Sequence, residues 1–150
     1  MSQINKILEH AEKHCKSNGT RLTEKRKYVL SGLLQSEKAL SAYELADYCV
    51  TECDSAIPTM SVYRILEFLE GESLVHKLHL ANKYVACSHI SCDHAHKIAQ
   101  FLICRECSNV KELTIEKAII NTLENNVKEA GYQLKSPQLE LHCLCQNCAK

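Results

Sequence analysis

Cys104-Arg105-Glu106-Cys107 and Cys145-Gln146-Asn147-Cys148 are the residues in this chain best suited to chemistry. Two residues between cysteines let both thiolates face one ion from a tight turn. Two such knuckles supply the four-sulfur tetrahedron of a closed structural zinc site. The stretch between them, Ser108–Leu144, is longer than a zinc ribbon uses. A sheet and a helix are therefore expected between the knuckles, with the metal tying the end of this half back to its start. One C-x-x-C alone could be a redox dithiol, but such pairs sit at a helix N-terminus after a strand. Here a polar Ser108-Asn109 turn and another apolar run follow the first pair. Cys143-x-Cys145 offers a competing spacing, and the alternation along Leu139–Cys143 reads Cys143 as a strand residue.

A softer set of donors comprises His76, His79, Cys87, His89, Cys92, His94 and His96, with Glu112 further on. His76 falls in the first strand of a hairpin pattern and Cys87 at the end of the second, so pairing can bring them together. The hinge that follows can bring His94 or His96 alongside, while Glu112 belongs to the second half. Ligands drawn from both halves would fix one geometry only when metal is bound, which is how a binding event shifts a population. A thiolate, imidazoles and a carboxylate suit zinc better than iron or manganese. Spacing alone does not choose the four.

The elements that must position these residues read as α+β. Ile4, Ile7, Leu8, Ala11 and Cys15 recur at helical spacing, and Ser17-Asn18-Gly19 stops the run. A second helix is expected over about Thr23–Gln35. A third opens at Ser41, where Ser41 and Glu44 have capping-box spacing. The fourth follows Pro58-Thr59, with Val62, Ile65, Leu66 and Leu69 inward and Gly71 expected at a left-handed end. Leu74–Leu80 and Tyr84–Cys87 form two short extended runs around Ala81-Asn82-Lys83. Helices followed by a hairpin describe a winged helix, with the third and fourth helices as the helix-turn-helix. Thr59, Ser61, Tyr63, Arg64 and Glu67 are expected on the outer face of the fourth helix. Short hydroxyls there leave room for a phosphate backbone, and Arg64 can fork onto a guanine edge. Residues 88–98 read as a hinge. Then come a strand (Ala99–Ile103), the first knuckle, a strand (Val110–Leu113), a helix (about Ile115–Ala130, ended by Gly131) and a strand (Gln138–His142). The expected domains are 1–87, a winged helix, and 99–150, an α/β zinc-binding domain.

Composition narrows the class. Lysine and arginine together equal aspartate and glutamate, 18 against 18, which alone speaks against a nucleic-acid binder. The charge is unevenly spread, however: Lys13, Lys16, Arg21, Lys25 and Arg26 face only Glu24 within one stretch, leaving a local basic surface. Arg21, Lys25 and Arg26 are the expected phosphate contacts. Met1–His10 has no apolar signal core and no run is long enough to cross a membrane, so a cytoplasmic protein is expected. In a reducing compartment, 10 cysteines point to metal rather than disulfides. A zinc deaminase would pair its C-x-x-C with an upstream His-x-Glu. His10-Ala11-Glu12 has that spacing but lies in the first amphipathic run, and four cysteines leave no open coordination position, so no enzyme and no small organic substrate are expected.

At several stretches the chain resembles the ferric uptake regulator superfamily, most closely its zinc uptake regulator branch. These are Arg21-Leu22-Thr23-x-x-Arg26, Ser41-Ala42-Tyr43-x-Leu45, Pro58-Thr59 with Val62-Tyr63-Arg64, Leu74-Val75-His76-Lys77, Tyr84-Val85-x-Cys87, Phe101-Leu102-Ile103-Cys104-x-x-Cys107 and Cys145-x-x-Cys148. The resemblance implies a homodimeric repressor with an N-terminal winged-helix DNA-binding domain and a C-terminal α/β dimerisation domain. It implies structural zinc on Cys104, Cys107, Cys145 and Cys148. It implies regulatory zinc on His76, Cys87, a hinge histidine (His96, with His94 as alternate) and Glu112. Tyr43 and Arg64 match the tyrosine and arginine that contact operator DNA. Iron-sensing relatives carry a His-rich run before the first knuckle where this chain has Ile98-Ala99-Gln100-Phe101, which favours zinc. The alternatives are an iron- or peroxide-responsive regulator of the same superfamily, or a zinc-binding protein without DNA-binding function.

Overall fold

A computed structural model describes residues 2–90, 99–135 and 138–149. The chain divides into two compact units at Asp93/His94. The first contains α1 (Gln3–Ser17), α2 (Glu24–Gln35), α3 (Ala42–Cys53), α4 (Thr59–Gly71) and a wing of β1 (Val75–Leu78) and β2 (Lys83–Ala86).

Three of the helices start where a side chain takes a free backbone N–H. Ser2 caps α1, Thr23 caps α2, and Ser41 with Glu44 forms the complete capping box of α3. α4 has Pro58 at its N-cap position and no side-chain cap bond. α2 packs against α1, α3, α4 and β2, so Val29, Leu30 and Leu33 sit at the centre of the core with Leu45, Val62, Leu66 and Leu69. Gly32 sets the approach of α2 to α3. A Cβ there would stand 2.9 Å from Tyr48 Cδ1 and 3.0 Å from Leu45 Cδ2.

The end of α4 corrects one expectation. Gly71 is the last helical residue, and the left-handed conformation falls on Ser73 at φ 60°. Helical hydrogen bonding runs a residue past the apolar stripe, and the reversal waits until Leu74 N–H reaches Leu69 O at 2.9 Å. Glu72, just past the helix, ties α4 to α1. Its Oε1 accepts from Thr20 Oγ1 at 3.0 Å and its Oε2 from Asn18 Nδ2 at 2.9 Å, while its carbonyl accepts from His14 Nε2 at 2.8 Å.

The wing strands are antiparallel, Val75 to Ala86 and Leu78 to Lys83, and Asn82 turns the hairpin at φ 51°. The strands are shorter than the apolar runs, because His79 and Leu80 join the turn.

The second unit contains β3 (Ala99–Cys104), β4 (Val110–Thr114), α5 (Lys117–Glu129) and β5 (Leu139–Cys143), in sheet order β4-β3-β5. β4 runs antiparallel and β5 parallel to the central β3. Gly131, at φ 87°, follows α5 as expected. Among the described residues of this unit, Phe101, Ile103, Ile115 and Ile120 are the buried apolar side chains, together with Cys104. No helix among the described residues is long and apolar enough to cross a membrane.

Candidate metal centres and nucleic-acid face

Parallel pairing of β3 and β5 builds the cysteine cluster. Parallel strands end at the same edge of a sheet, and here Cys104 stands in register with Cys143. Each C-x-x-C follows its own strand, so the two knuckles meet at that edge. Ser108, at φ 65°, lets the first knuckle reverse into β4, with Ser108 N–H donating to Cys104 O at 3.1 Å. Arg105 N–H donates to Cys143 O at 2.9 Å and stitches the knuckles together. Cys143 is a strand residue, as its alternation suggests, and joins no candidate metal group among the described residues.

The sulfurs of Cys104, Cys107, Cys145 and Cys148 all lie within 4.8 Å of one another, and Cys107 Sγ to Cys145 Sγ is 3.7 Å. A tetrahedron with zinc–sulfur bonds of about 2.3 Å has edges of about 3.8 Å. The donor set and its close spacing therefore fit a zinc tetrahedron. The four thiols are electrostatically unequal. Cys104 is lowered to about 6, first by the Cys107 N–H and then by the Cys145 N–H, which lies 3.4 Å from its sulfur. Cys148 is pushed up to about 12 by the Cys145 sulfur beside it and by burial. Cys104 is thus poised as a thiolate near neutral pH.

The wing brings a second pair of donors together. Cys87 N–H bonds Leu74 O at 2.9 Å, extending the ladder one step beyond the strands and placing Cys87 diagonally from His76 on one face. Their ligand atoms lie within 4.8 Å. Cys87 is 3% exposed, and His76 Nε2 is shut off from solvent. His89 N–H points at Cys87 Sγ from 3.4 Å. Glu112 is half-buried in β4, in register with Phe101. His94, His96 and Cys92 lie outside the described residues. Of the remaining cysteines, Cys49 is buried in the core, and burial followed by the nearby Cys53 raises its thiol to about 11. Cys53 closes α3.

On α4, Met60, Arg64 and Glu67 form the exposed stripe. Thr59 and Ser61 are half-buried, and Tyr63 packs against the core, because position 63 adjoins the Val62–Leu66 stripe. Met60, 67% exposed, was missed by residue type; its i, i+4 spacing to Arg64 is the signal that finds it. An arginine beside an apolar side chain is equipped to read a guanine edge and a thymine methyl. Tyr43 is 65% exposed at the start of α3, and Arg21 and Lys25 are exposed. Arg26 is occupied internally: its guanidinium donates to Arg21 O at 2.6 Å and lies 3.7 Å over the Phe68 ring.

The ferric uptake regulator family matches residues 17–150. The chain belongs to this family. Members of the ferric uptake regulator family are transcriptional regulators rather than enzymes. The zinc uptake regulation protein of Escherichia coli strain K12 is 36% identical over 146 residues, 96% of this chain and 82% of that protein. A zinc uptake regulator solved in complex with zinc and DNA matches with a TM-score of 0.87 at 30% identity, covering 99% of this chain and 97% of that one. The holo form of the regulator XcZur matches with a TM-score of 0.81 at 36% identity, covering 97% and 98%. The winged-helix and α/β architecture of this chain is the family's.

Proposed function

We propose that this chain is a zinc-responsive transcriptional repressor that binds operator DNA as a homodimer and controls zinc-uptake genes from the cytoplasm. The observation that carries the reading is likeness along nearly the whole chain to a zinc uptake regulator solved with zinc and DNA. The chain's own chemistry agrees with it: a four-thiol clamp, and a wing that aligns a thiol with an imidazole.

Cys104, Cys107, Cys145 and Cys148 hold structural zinc in this reading. His76, Cys87, His96 and Glu112 hold regulatory zinc, with His94 as alternate to His96. When bound, zinc supplies a strong cross-link among side chains that are otherwise independent. Arg64 reads base edges, Tyr43 and the Thr59 and Ser61 hydroxyls meet the sugar–phosphate backbone, and Tyr63 shapes the helix face. Arg21 and Lys25 hold phosphates. Arg26 serves there by fixing the turn that presents Arg21. The exposed apolar side chains of the second unit, Leu113, Ile119, Tyr132, Leu141 and Leu144, support homodimerisation.

The test is selection of duplexes from a random pool by the purified chain at buffered free zinc, iron or manganese. Enrichment that rises with zinc alone, and is lost in a His76→Ala/Cys87→Ser variant that keeps the four-thiol clamp, is the expected result. Enrichment under iron instead makes the chain an iron-responsive regulator. No enrichment under any metal leaves a zinc-binding protein without DNA-binding function.

A further inference from the structure

Three contacts meet where the wing passes the start of α3. Leu40 N–H donates to Tyr84 O at 2.9 Å and Tyr84 N–H to Leu40 O at 2.8 Å, making Leu40 a one-residue third strand beside β2. One residue before Tyr84, Lys83 Nζ lies 3.2 Å from Glu44 Oε1. That same oxygen accepts from Ser41 N–H at 3.1 Å, while Ser41 Oγ accepts from Glu44 N–H at 3.2 Å. A single carboxylate therefore closes the cap of α3 and holds the wing. Burial pushes the Glu44 carboxyl up, but the Ser41 N–H and the Lys83 ammonium outweigh it and hold it below the ordinary glutamate range.

We propose that Glu44 and Lys83 are positioning residues for operator recognition: their ion pair locks the wing to the N-terminus of α3, beside Tyr43, so that wing and helix meet DNA as one preordered surface. The inference rests on the DNA-binding reading above. The Lys83 and Glu44 side chains are 34% and 47% exposed, and ion pairs of that exposure add little to folding. What this one adds is geometry. A wing that swung free would have to be ordered on binding, and that entropy would subtract from affinity. A purely electrostatic account predicts the opposite sign for Glu44: removing a carboxylate near DNA strengthens binding to every sequence.

The experiment compares the full-length, zinc-loaded chain with Glu44→Gln, Lys83→Met and the double variant. The probes are the duplex most enriched from a random pool by the wild type and a scrambled duplex of equal length. Glutamine serves at this capping-box position, so Glu44→Gln keeps the cap and loses only the charge. Each single variant is expected to lower the selected-to-scrambled affinity ratio by about two- to fivefold. The double variant falls no further than either single. Melting temperatures stay within about 2 °C of the wild type. An unchanged ratio overturns the inference, and so do additive losses. A salt slope that drops by about one in Lys83→Met also overturns it, since Lys83 would then be a phosphate contact. A wild-type chain that enriches no duplex removes the DNA-binding reading and the inference with it, whereas a selecting wild type whose variants keep the same ratio removes only the inference.

Discussion

A thiol and a guanidinium carry most of the chemistry at the scale of single residues. Cys107 is one of four sulfurs that fit a zinc tetrahedron, its Sγ 3.7 Å from that of Cys145. Serine there leaves a hard, protonated oxygen where zinc wants a thiolate. Cys107→Ser is expected to lose about one zinc per chain by elemental analysis, because three thiolates and a hydroxyl hold the ion far more weakly. A variant that keeps full zinc would move the structural site elsewhere. Arg64 is the exposed cation of α4, next to Met60 on the same stripe. Arg64→Ala should weaken binding to the selected duplex by about 1–3 kcal/mol and relax preference at one base position. An equal loss on scrambled DNA would demote Arg64 to a phosphate contact. Arg26 shows the limit of reasoning from residue type. It matches the family stretch and is a cation in a basic segment, yet its guanidinium is turned inward onto Phe68. Only the meeting of α2 with α4 reveals that, and sequence spacing does not encode it.

Helices and strands decide where those side chains point. α2 and α3 approach closely because Gly32 has no Cβ; one would stand 2.9 Å from Tyr48, whose hydroxyl is held by Ser31 at 2.8 Å and Gln35 at 2.7 Å. Gly32→Ala gains about 1 kcal/mol of helix propensity and loses about 1–3 kcal/mol to overpacking. The net expectation is a mild loss of stability in denaturant melts; a stabilised variant would show that Tyr48 yields freely. Glu72 poses a sharper test. Its side chain is 11% exposed and accepts from both Thr20 and Asn18. Glu72→Ala strands those donors and should cost about 2 kcal/mol by chemical denaturation. The local signals were readable beforehand: the Ser41–Glu44 box, the stop at Gly19, the alternation of β5 and the two knuckles all depend on neighbours within a few residues. The Gly71 reading fails at the helix end itself, and the contacts left unread depend on distant neighbours. Ser73 rather than Gly71 takes the left-handed turn because Leu74 must reach back to Leu69. The Glu72 hub spans α1 and α4, and the Glu44–Lys83 pair spans α3 and the wing, so neither leaves a periodic trace.

Across the whole molecule the two units differ in what holds them. The winged-helix unit has a continuous core from Ala11 to Tyr84, whereas the second unit buries only Phe101, Ile103, Cys104, Ile115 and Ile120 among the described residues. Small cores need a staple, and metal binding energy is then folding energy. A strong chelator should therefore unfold the second unit first. Hydrogen exchange is expected to accelerate at β3, β4 and β5 while α2 and α4 stay protected; simultaneous loss in both units would mean the clamp is not what holds the sheet. The same clamp sets a pH dependence whose sign follows from Cys104. Its thiol, lowered to about 6 by the Cys107 and Cys145 N–H groups, is already ionised at neutral pH in the metal-free chain. Zinc binding near pH 7.5 then displaces fewer than four protons from the four sulfurs, and more as the pH falls through about 6. The slope of zinc affinity against pH equals the protons displaced, so affinity should fall with acidification everywhere, and more steeply below about 6. Calorimetric titrations in buffers of different ionisation enthalpy count those protons directly. A proton count that stays constant from pH 7.5 to 5.5 would mean that Cys104 titrates with the other thiols and that the two N–H groups do not prepare it for metal.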